Sequence, residues 1–176
     1  MSSRDAMANN ESHERNAQQH GRLGQRQVDQ DRTLVAMQQL ELALGTAAPR
    51  REGAWLEAVR SALAVLGEAA AEEAENAAAP DSLLSDVART QPWLRNRVRG
   101  LRIQYRQLRD GIAFLQGELD ESDTTVDFAD IRQRLAWVLT GLRHQRARES
   151  DLIYEAYYDA FRTDLPGEVG DELRGE

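Results

Sequence analysis

Cysteine is absent from this chain of 176 residues. Without thiols the protein has no disulfides, no thiolate nucleophile and no cysteine-ligated zinc or iron–sulfur site. A composition without cysteine is typical of a reducing compartment, so we expect a cytoplasmic protein.

Long apolar stretches are lacking as well. No run of about 18 apolar residues occurs anywhere in the sequence, and Met1–Asn16 contains no apolar core of about seven residues. We therefore expect no membrane span, no signal peptide and no membrane partner.

Lysine is the third absence, since all 22 basic residues are arginines, and 30 acidic residues bring the net charge to −8. The resulting pI of about 5.0 is unlike that of a nucleic-acid-binding domain, which is normally basic. The sequence also lacks a nucleophile elbow, a glycine-rich phosphate loop and a His-Glu-x-x-His motif. We expect no nucleic-acid partner, and a non-enzymatic role is favoured over hydrolase or transferase activity.

Helical periodicity is what the sequence does have. The segment Trp93–Leu115 carries apolar residues and one tyrosine at alternating spacings of four and three. This spacing places them in a single row, or seam, along the buried face of a helix. The members of this seam are Leu94, Val98, Leu101, Tyr105, Leu108, Ile112 and Leu115. Similar seams occupy Gln25–Leu44, the segment between Pro49 and Pro80, and Phe128–Phe161.

Four such seams joined by short connections predict an all-α fold, an antiparallel up-down-up-down four-helix bundle over residues 25–161. A short extra helix is expected over Leu83–Ala88, and Thr125 is the expected N-cap of the last helix. Residues 1–24 have almost no apolar periodicity and are predicted to form a disordered leader. Residues 162–176 are predicted to form an acidic flexible tail.

Polar side chains interrupt the seams of the last two helices. In a hairpin hinged near residue 123, Tyr105 lies level with about residue 141, which places Gln145 and Glu149 roughly 5–12 Å from it along the axis. We interpret these residues as a buried network in which the Tyr105 hydroxyl bonds Glu149 or Gln145, assisted by an arginine of the Tyr105 helix. The alternative interpretation is a ligand site.

Three further polar residues lie on or beside the seams, namely Gln30, Glu73 and Gln104. Gln104 directly precedes Tyr105 and is expected to be a polar residue of the core. Gln30 and Glu73 fall near the ends of their helices, so we expect them to be hydrated. Counting the rise per residue along the helices does not place Glu73 at the level of Tyr105.

Two more clusters have competing interpretations. Five arginines repeat along one face of the Tyr105 helix at positions 95, 99, 102, 106 and 109. Nucleic-acid contact is one interpretation, but ion pairing with the glutamates of the preceding long helix, or a solvated face, is favoured. The aromatic cluster Tyr154, Tyr157, Tyr158 and Phe161 is expected to be a core plug or a homodimer or partner contact on the fourth long helix.

Part of this pattern resembles a known family. The segment Leu139–Phe161 resembles the closing helix of hemerythrin-like (HHE cation-binding) proteins, and Pro92-Trp93-Leu94 followed by Gln104-Tyr105 resembles their third helix. The resemblance spans about residues 25–161 and implies the hemerythrin-like bundle. Members of that family hold a non-haem di-iron centre through histidines and bridging carboxylates, and they carry or sense oxygen or related small molecules.

The resemblance also implies where the iron ligands would fall. Carried over by position, the family's histidines fall at Gln30, near Glu73, at Tyr105 and at Gln145, and only Glu149 keeps the residue type. His144 is one residue from the expected place and is expected to face outwards.

A bundle without a competent di-iron centre and without a cofactor is therefore the preferred interpretation. Its expected role is that of a non-enzymatic sensory, regulatory or interaction module. The alternative is an iron-binding protein for oxygen or related small molecules, with Tyr105, Glu149 and Glu73 as a reduced metal site.

Overall fold

Helices are the regular elements of the described chain. The computed structural model describes residues 3–46, 52–121 and 127–163, and no strand occurs in these ranges. The elements in chain order are α1 (Ser3–Gly45), α2 (Glu52–Ala78), α3 (Leu83–Thr90), a 3₁₀ turn (Pro92–Leu94), α4 (Arg95–Glu121) and α5 (Phe128–Thr163). This confirms the predicted all-α class with four long helices.

The start of the first helix differs most from the prediction. It begins at Ser3 and not near Gln25, so α1 takes in the segment 3–24 that we expected to be a disordered leader. That segment contains no proline, and its alanines, glutamines, glutamates and arginines are good helix formers. A helix anchored further along can therefore continue into it without an apolar stripe. The predicted acidic tail lies outside the described residues from position 164 onwards.

Caps set the starts of two later helices. Ser82 caps α3 by accepting a hydrogen bond from the backbone N–H of Ser85 at 3.1 Å. The cap of α5 is Asp127, whose carboxylate accepts from the backbone N–H of Ala129 at 2.9 Å. The prediction of Thr125 for that cap is corrected, because an aspartate directly before the helix accepts the first free N–H groups and also favours the helix dipole.

The core is divided into two apolar clusters. One is formed by residues of α1, α2, α4 and α5, with Met37, Leu63, Ile112 and Leu135 among its most buried members. The other gathers the short helix α3, the 3₁₀ turn and parts of α2, α4 and α5. The predicted seam of α4 is confirmed, since its members are buried except for the half-buried Leu108.

Each long helix packs on the next one along the chain, and α3 lies against α1, α2 and α4. No helix among the described residues is long and apolar enough to cross a membrane. Tyr105 is the only aromatic residue in the seam of α4, and it belongs to the second apolar cluster.

Two glycines in the long helices allow a matched test of this packing. A methyl group at Gly100 would meet nothing within 4 Å, whereas one at Gly141 would lie 2.8 Å from Leu108 Cδ2. Gly100→Ala should therefore raise the free energy of unfolding by roughly 0.5–1 kcal/mol, the usual gain in a helix interior. Gly141→Ala should gain less, because Leu108 must move. Urea unfolding measures both, and equal gains would contradict the α4–α5 contact.

Candidate functional site

Buried polar side chains from α1, α2, α4 and α5 lie together in the core. We call this set the polar layer, and it consists of Asp29, Thr33, Glu73, Tyr105, Gln145 and Glu149. None of its members is more than 7% exposed. Buried polar groups are costly unless they find partners, so the hydrogen bonds within the layer decide what it can do.

The Tyr105 hydroxyl is the centre of the polar layer. It lies 3.2 Å from Glu73 Oε1 on α2 and 3.0 Å from Glu149 Oε2 on α5. Burial and the neighbouring charges of Glu149 and Glu73 raise the pKa of Tyr105 far above its usual value, so the phenol keeps its proton. A phenol has one proton and can fully donate to only one of the two carboxyl groups.

Glu73 is the group that can hold a second proton. Burial raises the pKa of Glu73, and this effect outweighs the hydrogen bond from Thr33 and the charge of Arg146, both of which lower it. Arg146 acts through space, because its Nε and Nη2 are buried without a hydrogen-bond partner among the described residues. When Glu73 is protonated, its O–H can donate to the Tyr105 oxygen while the Tyr105 O–H donates to Glu149; when Glu73 is ionised, both carboxylates accept from the single phenolic O–H.

Glu149 receives the remaining donors. Gln30 Nε2 donates to its Oε2 at 2.9 Å, and Arg26 Nε lies 3.3 Å from its Oε1. The buried carboxylate thus has a counter-ion from α1. The predicted Tyr105–Glu149 bond is confirmed, but the arginine that supports it comes from α1 and not from α4.

Two arginines of the α4 stripe instead bond to α3. Arg95 donates to the carbonyl of Ala88 at 2.8 Å, and Arg102 donates to Ser85 Oγ at 2.6 Å. The expected pairing of this stripe with α2 glutamates is wrong at Glu72, which pairs with Arg32. The reason is that α3, a short helix after a proline break, packs directly on α4.

The structure brings together most of the polar residues that the sequence singled out. Glu73 is only 6% exposed and lies beside Tyr105, so the expectation of a hydrated, distant Glu73 is wrong. Gln30 belongs to the same network, and Gln145 is buried next to it. Gln104 is the exception, because one residue turns a helix by about 100° and leaves it half-buried, 3.5 Å from Arg148 Nη1.

Sequence analysis missed the contribution of α1. Arg22, Arg26 and Asp29 line the site from the middle of that helix. The available signal was the stripe through Met37 and Thr33, which continues towards the N-terminus in steps of three and four residues. It becomes charged at Asp29, Arg26 and Arg22, and we did not select these charged positions as residues of the site.

A cavity of about 590 Å³ opens onto the polar layer. Tyr105, Glu73 and Glu149 line it on one side, and α1 forms a wall that includes Arg22, Arg26 and Asp29. The opposite wall comes from the end of α2 and the start of α3, including Leu83 and Leu84. We call this space the polar cavity, and its size falls in the usual range for small-molecule sites.

The polar layer does not supply the donors that a di-iron centre requires. No group of three or more histidine, cysteine, aspartate or glutamate residues is placed to hold a metal within the described ranges. His13, His20 and His144 are exposed, as expected for His144. A protonated phenol and amides are poor ligands for iron, so the residues present do not fit that centre.

The aromatic end of α5 is split between two environments. Tyr157 donates to Asp86 Oδ2 at 2.9 Å, which ties α5 to α3. Tyr154 and Tyr158 are exposed and meet edge to face at 5.3 Å, so these two do not plug the core. The predicted homodimer or partner contact at this end of α5 stays a prediction.

Comparisons with protein-family models, curated proteins and solved structures return no match for this chain. The hemerythrin-like resemblance therefore stays a prediction. The site is described from this chain's own contacts, in which one hydroxyl joins two carboxyl groups at the edge of a cavity.

Removing the central hydroxyl should destabilise the fold. Tyr105→Phe leaves two buried carboxyl groups without their shared partner, which should cost about 1–3 kcal/mol in the free energy of unfolding. Tyr154→Phe, at an exposed position of α5, is the matched control and should change it by less than about 0.5 kcal/mol. Equal effects in urea unfolding would contradict the network.

The raised pKa of Glu73 gives stability a defined pH dependence. In the unfolded chain Glu73 ionises near 4.5, whereas burial in the folded chain holds its proton to higher pH. The stability that Glu73 contributes is complete below 4.5 and is lost as pH rises through the folded pKa.

Glu73→Gln removes this loss, because the amide cannot ionise. The difference in unfolding free energy between this variant and the wild type should therefore shift in favour of the variant from pH 4.5 upwards. Glu75→Gln, at an exposed position on the same helix, controls for the change of side chain. A difference that stays constant across this range would show that Glu73 is already ionised in the folded protein.

Proposed function

We propose that this chain is a non-enzymatic sensory or regulatory module that binds a small molecule in the polar cavity. The observation that carries the proposal is the cavity of about 590 Å³ ending on the buried Tyr105, Glu73 and Glu149. A concave site with a few convergent polar groups is the usual form of a small-molecule site. A ligand there would contact α1, α2, α3 and the polar layer together, so binding would change how these helices hold one another.

The proposed architecture is an antiparallel up-down-up-down bundle of the hemerythrin-like type. Contacts between neighbouring helices support it, because in each pair the residue numbers run in opposite directions. Between α1 and α2 the contacts are Asp29–Asn76 and Arg32–Glu72, and between α2 and α4 they are Arg60–Leu119 and Glu73–Tyr105. Between α4 and α5 they are Arg97–Glu155 and Glu118–Arg134, and between α1 and α5 they are Arg26–Glu149 and Glu41–Arg143.

The positions implied by the resemblance support the same proposal. Gln30, Glu73, Tyr105 and Glu149 belong to one hydrogen-bond network, and Gln145 is buried beside them. A bundle that had exchanged its iron ligands for other side chains would keep those positions together. Hydrogen bonds among the new side chains would then satisfy the buried polar groups that had bound the metal.

Binding is a better account of this site than catalysis. Glu149 already has a counter-ion and amide and phenol donors, and the raised pKa of Tyr105 makes it a poor base or nucleophile. We further propose a cytoplasmic location, no nucleic-acid or membrane partner, and a homodimer or partner contact at the exposed Tyr154 and Tyr158 of α5.

Iron binding is the second candidate, and the convergence of Glu73 and Glu149 on Tyr105 is the observation that favours it. Metal analysis and an absorption spectrum of the untagged protein from iron-replete cells separate the two proposals. Iron well below one equivalent per chain is the expected result. Stoichiometric iron, with a charge-transfer band that Tyr105→Phe abolishes, would replace the small-molecule proposal.

Two glycines on α1 allow the cavity itself to be tested. Gly21 lines the polar cavity and Gly24 does not, and a Cβ at either position meets nothing within 4 Å. Gly21→Trp should therefore fill the cavity mouth without disturbing the fold, and Gly24→Trp is the matched control.

A library of polar metabolites screened by thermal shift provides the measurement. Compounds that bind should raise the melting temperature of the wild type and of Gly24→Trp, but not of Gly21→Trp. The proposal fails if no compound shifts the wild type, or if the hits bind Gly21→Trp equally well.

A further inference from the structure

We infer that the ligand of the polar cavity is a small zwitterion of the amino-acid type, with its ammonium group at Asp29 and its carboxylate at Arg26 and Arg22. This inference rests on the proposed function and names the chemical class that the cavity accepts. It follows from the way in which charges of both signs line the cavity along α1.

Asp29 supplies the ammonium site. Its side chain lines the cavity, is buried and accepts hydrogen bonds from Gln25 Nε2 at 2.9 Å and Asn76 Nδ2 at 3.0 Å. Both donors are neutral amides, and Asp29 makes no ion pair within the described part of the chain. A carboxylate has room for about four hydrogen bonds, so two positions stay open. A ligand ammonium would fill them and supply the missing counter-ion.

Arg26 and Arg22 supply the carboxylate site. They lie one turn apart on α1, both line the cavity, and their side chains are 17% and 22% exposed. Arg26 Nε is buried without a hydrogen bond, since its 3.3 Å contact with Glu149 is an ion pair without hydrogen-bond alignment. Guanidinium groups carry five N–H donors, so Arg22 can keep its contact with Asp86 and still bind a carboxylate.

The spacing of these groups favours one molecule with both charges. Arg26 and Asp29 are three residues apart, which is about 4.5 Å along the helix axis. A ligand with its ammonium and carboxylate separated by a few bonds spans that distance. The side chain of such a ligand would face the apolar part of the wall at Leu83 and Leu84.

Ligands with a single charge fit less well. A simple amine would place its charge close to Arg22 and Arg26, and a simple carboxylate would face Asp29 without supplying its counter-ion. Each of these arrangements sets like charges together beside the buried polar layer, where repulsion is stronger than in bulk water. Only a zwitterion pairs every charge it brings.

The test is isothermal titration calorimetry of the full chain with the twenty protein amino acids. The best binder is then compared with its decarboxylated and deaminated analogues. For L-leucine these probes are 3-methylbutylamine and 4-methylpentanoate. At least one amino acid should bind, and each analogue should bind about tenfold or more weakly, since each loses one charge-assisted interaction.

Two variants locate the charges. Asp29→Asn and Arg26→Gln should each weaken amino-acid binding about tenfold or more. Asp31→Asn makes the same chemical change two residues away, at an exposed position that accepts from Gln27, and should leave binding unchanged. The three wild-type titrations need no variant, so the inference stays testable even if a substitution unfolds the chain.

Defined results would overturn the inference. If the amine binds as tightly as the amino acid, the cavity is a cation site. If the carboxylate binds as tightly as the amino acid, the cavity is an anion site. If no amino acid binds while library compounds still distinguish Gly24→Trp from Gly21→Trp, the zwitterion is wrong and the proposed function stands. If neither experiment detects binding, both fail.

Discussion

The hydroxyl group of Tyr105, held between the carboxyl groups of Glu73 and Glu149, is the constraint on which the rest of the structure depends. It joins α4 to α2 and α5 at one level, and Gln30 and Arg26 join α1 to the same point. Apolar side chains could pack at several offsets along a bundle, but these donors and acceptors match at only one. Sliding any helix by a turn would leave a buried carboxyl group without its partner, at a cost of several kcal/mol.

The protonation of the layer follows from its burial. Two carboxyl groups share one phenolic proton, and the raised pKa of Glu73 favours a second proton on that group. Arg26 is the counter-ion of Glu149, whereas Asp29 of the same layer accepts from the neutral amides of Gln25 and Asn76. These hydrogen bonds and this ion pair explain how the core holds two buried glutamates. The cavity beside the layer is lined by charges of both signs, because Asp29 and Arg22 lie on the same face of α1.

Apolar periodicity was sufficient to predict the helices, because the seams of α2, α4 and α5 repeat at three and four residues over many turns. The burial of Tyr105 and its bond to Glu149 could also be predicted, since both lie on a seam. The contact between Glu73 and Tyr105 could not, because the exact offset of two helices depends on connections that periodicity does not describe. The length of α1 was missed for a different reason. Residues 3–24 have helical propensity without an apolar stripe, and the stripe was the signal that we used.

A double-mutant cycle between Tyr105→Phe and Glu149→Gln tests most directly whether the polar layer acts as one unit. The free energies of unfolding of the wild type, both single variants and the double variant are obtained from urea unfolding. Because the two side chains share a buried hydrogen bond at 3.0 Å, the account predicts an interaction energy on the order of 1 kcal/mol or more. Additive effects, within about 0.3–0.5 kcal/mol, would show that Tyr105 and Glu149 stabilise the fold independently and would contradict the account.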